Sequence, residues 1–200
     1  MSSDIPARER ILSAAGELFT HHGFADVTML DVATHARVSK RELYALIGNK
    51  EQLLAACIAA RGARMRLPEG FPEPTDRKTL RAALQAYGAR LLAELTDPGV
   101  VAMFRLGIAE AKRSPAVAHS IQERGRTPAR AALSELLKAA RAANLVGGAD
   151  IAHMVSRFNA LLWGDVMVWL LLGLEKPPSA REIEKRAAEA ADLFLALHAT

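Results

Sequence analysis

The sequence predicts an all-α fold: an N-terminal three-helix domain containing a helix-turn-helix, a connecting helix, and a larger C-terminal helical domain, about nine helices in all. Three observations carry this. Alanine and leucine dominate the 200 residues and aromatics make up only 5%, a composition that loses little side-chain freedom in helices. Apolar residues recur at helical spacing, and no run reads convincingly as a strand. At four points a small polar residue stands three positions ahead of an acid or an amide, as an N-cap does.

The first helix starts at Pro6. Ile11, Leu12, Ala15, Leu18 and Phe19 form its apolar face. His21 and His22 suit its C-terminal dipole, Gly23 stops it, and Phe24 is placed to fold back on the last turn. Thr28 with Asp31, Ser39 with Glu42, and Asn49 with Gln52 then open helices over roughly 29–36, 40–47 and 50–66. Only Arg37 and Val38 join the first two, which makes a helix-turn-helix with Val32, Ala33, Ala36, Val38, Leu43 and Ile47 as its shared core. Residues 67–76 hold three prolines and read as a loop. Further helices are expected over 79–95, 100–113, a short stretch at 116–124, 127–143, 150–174 and 179–198. Ser179 and Glu182 form the fourth cap of the last one. The expected division is 1–48 for the helix-turn-helix domain, 49–66 for the connecting helix and 67–200 for the C-terminal domain.

Charge narrows the chemistry only a little. The net charge of +4 and pI near 9.5 permit a nucleic-acid partner. Nine basic against seven acidic residues in 1–66, and seventeen against fifteen in the rest, leave each part at +2. Particular positions must therefore carry any DNA argument. Cys57 is the one cysteine, so no disulfide can form within the chain, and a reducing compartment, the cytoplasm, is expected. Residues 1–30 lack the pattern of a secretory leader. The most apolar stretch, Ala160–Leu174, is shorter than the ~20 residues of a membrane span and is interrupted by Asp165, so it reads as a buried or interfacial helix.

The second helix of a helix-turn-helix enters the major groove with its N-terminal residues against the base edges. Here it opens Ser39-Lys40-Arg41-Glu42. Arg41 can address guanine with two donors, and Lys40 can reach a guanine or a phosphate. Ser39 and Thr28 offer hydroxyls beside helix-start amides, both suited to phosphate. Tyr44 lies one turn on from Lys40. Lys50 opens the next helix, where a cation opposes the dipole and is easier to understand if it serves a phosphate. Any one of these cations alone fits a solvated face better. Together with the caps and the short turn they point to DNA.

Residues 8–54 resemble the N-terminal domain of the TetR family of bacterial repressors. The matching stretches are RILSAAGELFTHHGFADVTMLDVA, VSKRELY and NKEQLL. The resemblance implies phosphate contacts at Thr28, Tyr44 and Lys50 and base reading at Ser39, Lys40 and Arg41. Three positions depart from the family pattern. Arg37 replaces the usual turn glycine, at a cost of ~1–2 kcal/mol if that position is left-handed. Arg37 also adds a cation beside the reading helix. Arg41 replaces another frequent glycine, and Leu46-Ile47 replaces a His-Phe pair.

The stretches PGVVAMFRLGIAEAKRSP and RFNALLWGDVMVWLLLGL, within 98–197, resemble the C-terminal domains of a TetR subgroup linked to efflux and signalling control. The resemblance implies a homodimer formed by the last two helices and a small, largely apolar effector. Candidate ligand residues are Tyr87, Met103, Phe104, His119, Phe158, Asn159 and Trp163, although each taken singly fits plain core better. No membrane partner and no cofactor are expected. Asp31 with His35 and Asp150 with His153 each lack a third metal ligand nearby in sequence. No nucleophile elbow, HExxH or phosphate-binding glycine loop appears, so an enzyme is not expected.

Three readings stand beside one another: a dimeric repressor released from a palindromic operator by a small molecule, a DNA-binding regulator with no such effector and controlled by a protein partner or by abundance, and a helical enzyme or lipid-binding module. Loss of DNA affinity on changing Lys40 and Arg41 separates the first two from the third. A filled C-terminal core favours the second over the first.

Overall fold

The computed structural model describes residues 5–64, 73–109, 111–112 and 115–198. Among these, eleven α-helices and one π-helical turn account for the regular structure, with no strand. In chain order the helices are α1 (Ala7–His22), α2 (Met29–His35), α3 (Lys40–Leu46), α4 (Lys50–Arg64), α5 (Arg77–Leu95) and α6 (Pro98–Ala109). Then follow α7 (Pro115–Ser120), the π-turn Ile121–Arg126, α8 (Thr127–Ala142), α9 (Ile151–Trp163), α10 (Val166–Leu172) and α11 (Ala180–Leu197). No single helix among the described residues is long and apolar enough to cross a membrane.

The helices group into two units, residues 1–63 with 98–126, and residues 64–97 with 127–200. In the first, Ile11, Phe19, Val32, Leu43, Leu53 and Ile58 are buried together. Val38 and Ile47 are only half-buried against that cluster. Truncating a fully buried leucine such as Leu43 costs about 2–5 kcal/mol, so this small core has little stability to spare. Burial also raises the Cys57 thiol to about 12, which leaves it an inert packing residue. In the second unit, the rings of Tyr87, Phe158 and Phe194 stack in series at 6.0 and 5.6 Å. Gly88 lets α5 approach α9 and α11, because a Cβ there would lie 3.1–3.4 Å from Leu162, Ala187 and Phe158.

The helix starts follow the sequence. Thr28 and Asp31, Asn49 and Gln52, and Ser179 and Glu182 each exchange hydrogen bonds in both directions. Asp76 and Thr79 form one more such box, which the acid-or-amide pattern did not anticipate. Gly23 ends α1 with φ 80, and Phe24 does fold back, its ring 5.3 Å from that of Phe19.

Two expectations need correction. The helix predicted over 150–174 is two helices, α9 and α10, bent by 57°. Gly164 adopts φ 45, ψ −130 and closes α9 with a bond to Ala160, a conformation its apolar neighbours could not take without strain. The short helix expected at 116–124 is α7 running into the π-turn. The predicted ends of the helices over 50–66 and 100–113, and most of the loop at 67–76, lie partly outside the described residues.

Candidate nucleic-acid interface

The reading helix is set by its turn. α2 ends with the Val38 amide donating to the Ala33 carbonyl at 3.0 Å, across Arg37 at φ 53. This is the left-handed closure a glycine would make without strain. Arg10 secures the same turn from α1, its Nε donating to the Ala36 carbonyl at 3.2 Å. Ser39 then caps α3 by accepting from the Glu42 amide at 3.1 Å. Leu43 is the one buried residue of α3, so the remainder of this helix is presented outward.

Lys40, Arg41, Glu42 and Tyr44 are all exposed on α3. Lys40 Nζ lies 6.0 Å from the Tyr44 ring centroid, which brings one cation and one aromatic of the predicted set together. The side chains of Arg37, Arg41 and Glu42 make no hydrogen bond or ion pair with the described residues. Thr28 is engaged by Asp31, which accepts from its hydroxyl at 2.7 Å and from its amide at 2.8 Å. Those bonds, the side-chain one first, hold the Asp31 carboxyl below the ordinary carboxylate range.

Lys50 stands differently from the sequence reading. Its ammonium donates to the Ala25 carbonyl at 3.0 Å and sits 4.6 Å from the Phe24 ring centroid. A cation at this helix start therefore has partners of its own in the α1–α2 turn, and a phosphate would share or displace them. Sequence reasoning missed the Lys50 and Arg10 contacts, because both join residues about 25 positions apart. His35, once weighed with Asp31 as a metal pair, instead meets Glu17 at 3.1 Å. Asp150 and His153 bond to each other at the start of α9. No group able to hold a metal occurs among the described residues.

The seven ligand candidates fall in two places. Met103, Phe104 and His119 belong to the first unit; Met103 is buried, Phe104 half-buried and His119 exposed. Tyr87, Phe158, Asn159 and Trp163 belong to the second. There Tyr87 is buried, its hydroxyl donating to the Ala129 carbonyl at 3.0 Å, and burial pushes its phenol pKa up. Phe158 is wholly buried, Trp163 half-buried, and Asn159 is 8% exposed with its Oδ1 unbonded. A cleft of about 430 Å³ beside α11 is lined by Glu175, Lys176, Glu182, Lys185, Arg186 and Glu189 among others, and includes none of the seven.

A short, outward-facing helix after a tight turn, capped by Ser39 and carrying Lys40 and Arg41 at its exposed start, defines a helix-turn-helix of the DNA-binding kind. Residues 11–57 match the family profile described as bacterial regulatory proteins, tetR family. Residues 82–200 match that of the AefR-like transcriptional repressor, C-terminal domain. The chain belongs to the TetR family of transcriptional regulators. It is similar to the structure of a TetR transcriptional regulator from Agrobacterium tumefaciens, with 26% identity, TM-score 0.83, and 98% of this chain and 96% of that one covered. It is also similar to the flavonoid-responsive regulator FrrA, with 27% identity, TM-score 0.71 and coverage of 96% and 97%. A putative TetR-family regulator from Mesorhizobium loti, 21% identical over 97% of each chain with TM-score 0.78, shares the fold. No curated protein sequence matches the chain.

Proposed function

We propose that this chain is a homodimeric, cytoplasmic repressor that leaves a palindromic operator when a small, largely apolar ligand binds its C-terminal helices. It is a regulator and not an enzyme in this reading. The observation that carries the DNA part is the reading helix itself: Lys40 and Arg41 are exposed at its start, and the Arg41 side chain has no hydrogen bond or ion pair among the described residues. Two copies place two such helices in successive major grooves, so half-sites lie about one helical turn apart.

Dimerisation is supported by the surface of α10 and α11. Val168, Trp169, Leu172, Leu193 and Leu197, with Leu174 just beyond α10, are 40–65% exposed. That much apolar surface on adjacent helices suits a partner better than water. The similarity to a flavonoid-responsive regulator supports ligand control, and makes flavonoids the first compounds to test. Ligand binding then shifts the population away from the helix spacing that fits both half-sites.

A footprint on the DNA flanking the gene tests the reading. One protected palindrome is expected, with Arg41→Ala losing about 1–3 kcal/mol of discrimination at one base position. Equal affinity for all duplexes would refute it. A second reading keeps DNA binding and replaces the small molecule with a protein partner or control by abundance. The buried ring cluster of Tyr87, Phe158 and Phe194 favours it, since the candidates Tyr87 and Phe158 pack against each other and against Phe194. Operator affinity that no bound small molecule changes would select this second reading.

A further inference from the structure

We propose that Glu42 reads bases directly and selects a cytosine in each operator half-site, an inference that rests on the DNA-binding reading above. Four other helix starts carry a polar cap whose partner returns a bond to the cap's amide. Asp31 accepts from Thr28 at 2.8 Å, Gln52 from Asn49 at 2.8 Å, Thr79 from Asp76 at 3.0 Å and Glu182 from Ser179 at 2.7 Å. At α3 only half of the box is present. Ser39 accepts from the Glu42 amide, and the Glu42 carboxylate goes to no described residue. The sequence pattern assigns that carboxylate to capping, and the fold leaves it free.

Its place on the helix gives it something to do. At about 100° per residue, Arg41 and Ala45 lie opposite the buried Leu43, with Tyr44 on one flank and Glu42 on the other. A carboxylate on this face is repelled by phosphates, so it weakens binding unless the DNA supplies a donor. In the major groove the donors are the amino groups of cytosine N4 and adenine N6. Adenine sets its amino group beside the N7 acceptor, which repels a carboxylate. Cytosine has no such neighbour on its own ring. Glu42 therefore matches cytosine, while Arg41 beside it matches the O6 and N7 of a guanine. Glu42 acts as a filter, adding discrimination at the expense of general affinity.

The test is selection from a pool of random-sequence duplexes with the full-length wild type, Glu42→Ala and Glu42→Gln. Wild type is expected to enrich a palindrome with a cytosine fixed at one position of each half-site. Glu42→Ala should relax that position by on the order of tenfold and bind non-cognate duplexes more tightly. Glu42→Gln should move the preference there from cytosine to adenine, because an amide pairs with both N6 and N7. Both variants keep the amide that Ser39 caps and lose no side-chain bond, so folding is undisturbed. An Ala variant that enriches the wild-type sequence unchanged overturns the Glu42 assignment alone. A wild type that enriches no sequence overturns the DNA reading as well.

Discussion

Gly62→Ala is the sharpest test of the packing around the connecting helix. Gly62 is buried on α4, and a Cβ built there would lie 2.1 Å from the Arg124 carbonyl oxygen. It would also lie 3.1 Å from the Arg124 carbonyl carbon and 3.2 Å from Gly125 Cα. All three obstacles are backbone, so no rotamer change relieves them. Either α4 or the π-turn must move by about 1 Å, an overpacking that typically costs about 1–3 kcal/mol. Alanine recovers about 1 kcal/mol through helix propensity, which leaves a net loss of about 0–2 kcal/mol. For a chain of this size that lowers Tm by up to roughly 8 °C. Gly16→Ala on α1 is the control, because nothing lies within 4 Å of its Cβ position. It should raise stability by about 0.5–1 kcal/mol. Urea unfolding at one fixed protein concentration reads both, since the proposed dimerisation would make stability concentration-dependent. A Gly62→Ala protein stabilised as much as Gly16→Ala would show that α4 and the π-turn are not in the close contact described.

Arg37→Gly should stabilise the fold by about 1 kcal/mol in urea unfolding by relieving the left-handed turn, while weakening binding to every duplex. Lys50→Ala should reduce the salt dependence of DNA binding by about one unit if the ammonium reaches a phosphate; an unchanged slope with lower stability would confine it to Ala25 and Phe24. Asp76 and Asp150 are held below the ordinary carboxylate range, chiefly by amide hydrogen bonds from Thr79 and His153. Their ionised forms thus stabilise the fold above the ordinary carboxylate pKa, and that contribution is lost as pH falls through the lowered values. Asp76→Asn with Asp150→Asn should match wild type near neutrality, since asparagine caps as well, and lose less stability between about pH 5 and about pH 3 in urea midpoints. Leu172→Glu should shift the protein from dimer to monomer in analytical ultracentrifugation, because Leu172 is 65% exposed on α10.

The helix-turn-helix was legible because its determinants are local. Thr28, Ser39, Asn49 and Gly23 each act within four residues of themselves, and the expected core of the motif lies within residues 32–47. The second unit was less so. A run of apolar residues from 160 to 174 fits one long helix until Gly164 takes a conformation that spacing alone does not announce. Candidate ligand residues were chosen by chemical type, and type does not tell a wall from a core. Tyr87 lies in the core, its hydroxyl donating to the carbonyl of Ala129, 42 positions away. Lys50 is the same lesson at the reader: its partner is the carbonyl of Ala25, 25 positions away.

Arg37 shows how the reader's cost and its function are joined. A left-handed arginine carries about 1–2 kcal/mol of backbone strain that glycine would avoid. Strain of this kind persists where something compensates it. Within the fold the turn is held by the Val38 amide on the Ala33 carbonyl and by Arg10 on the Ala36 carbonyl, while the Arg37 guanidinium makes no hydrogen bond or ion pair to a described residue. Arg10, by contrast, bonds the carbonyls of Ile5 and Ala36, so its charge is already in structural use. Those bonds keep the turn whichever residue stands there, so what arginine adds over glycine is a charge two residues before the reading-helix cap, where a long side chain suits a phosphate if the proposed DNA binding holds. Glu42 departs from the expected pattern in the opposite sense, leaving a negative charge where a positive one would bind DNA more tightly. Under the proposed DNA reading, the two together would make a reader that gains general affinity at the turn and gives some of it up at the helix in return for selectivity.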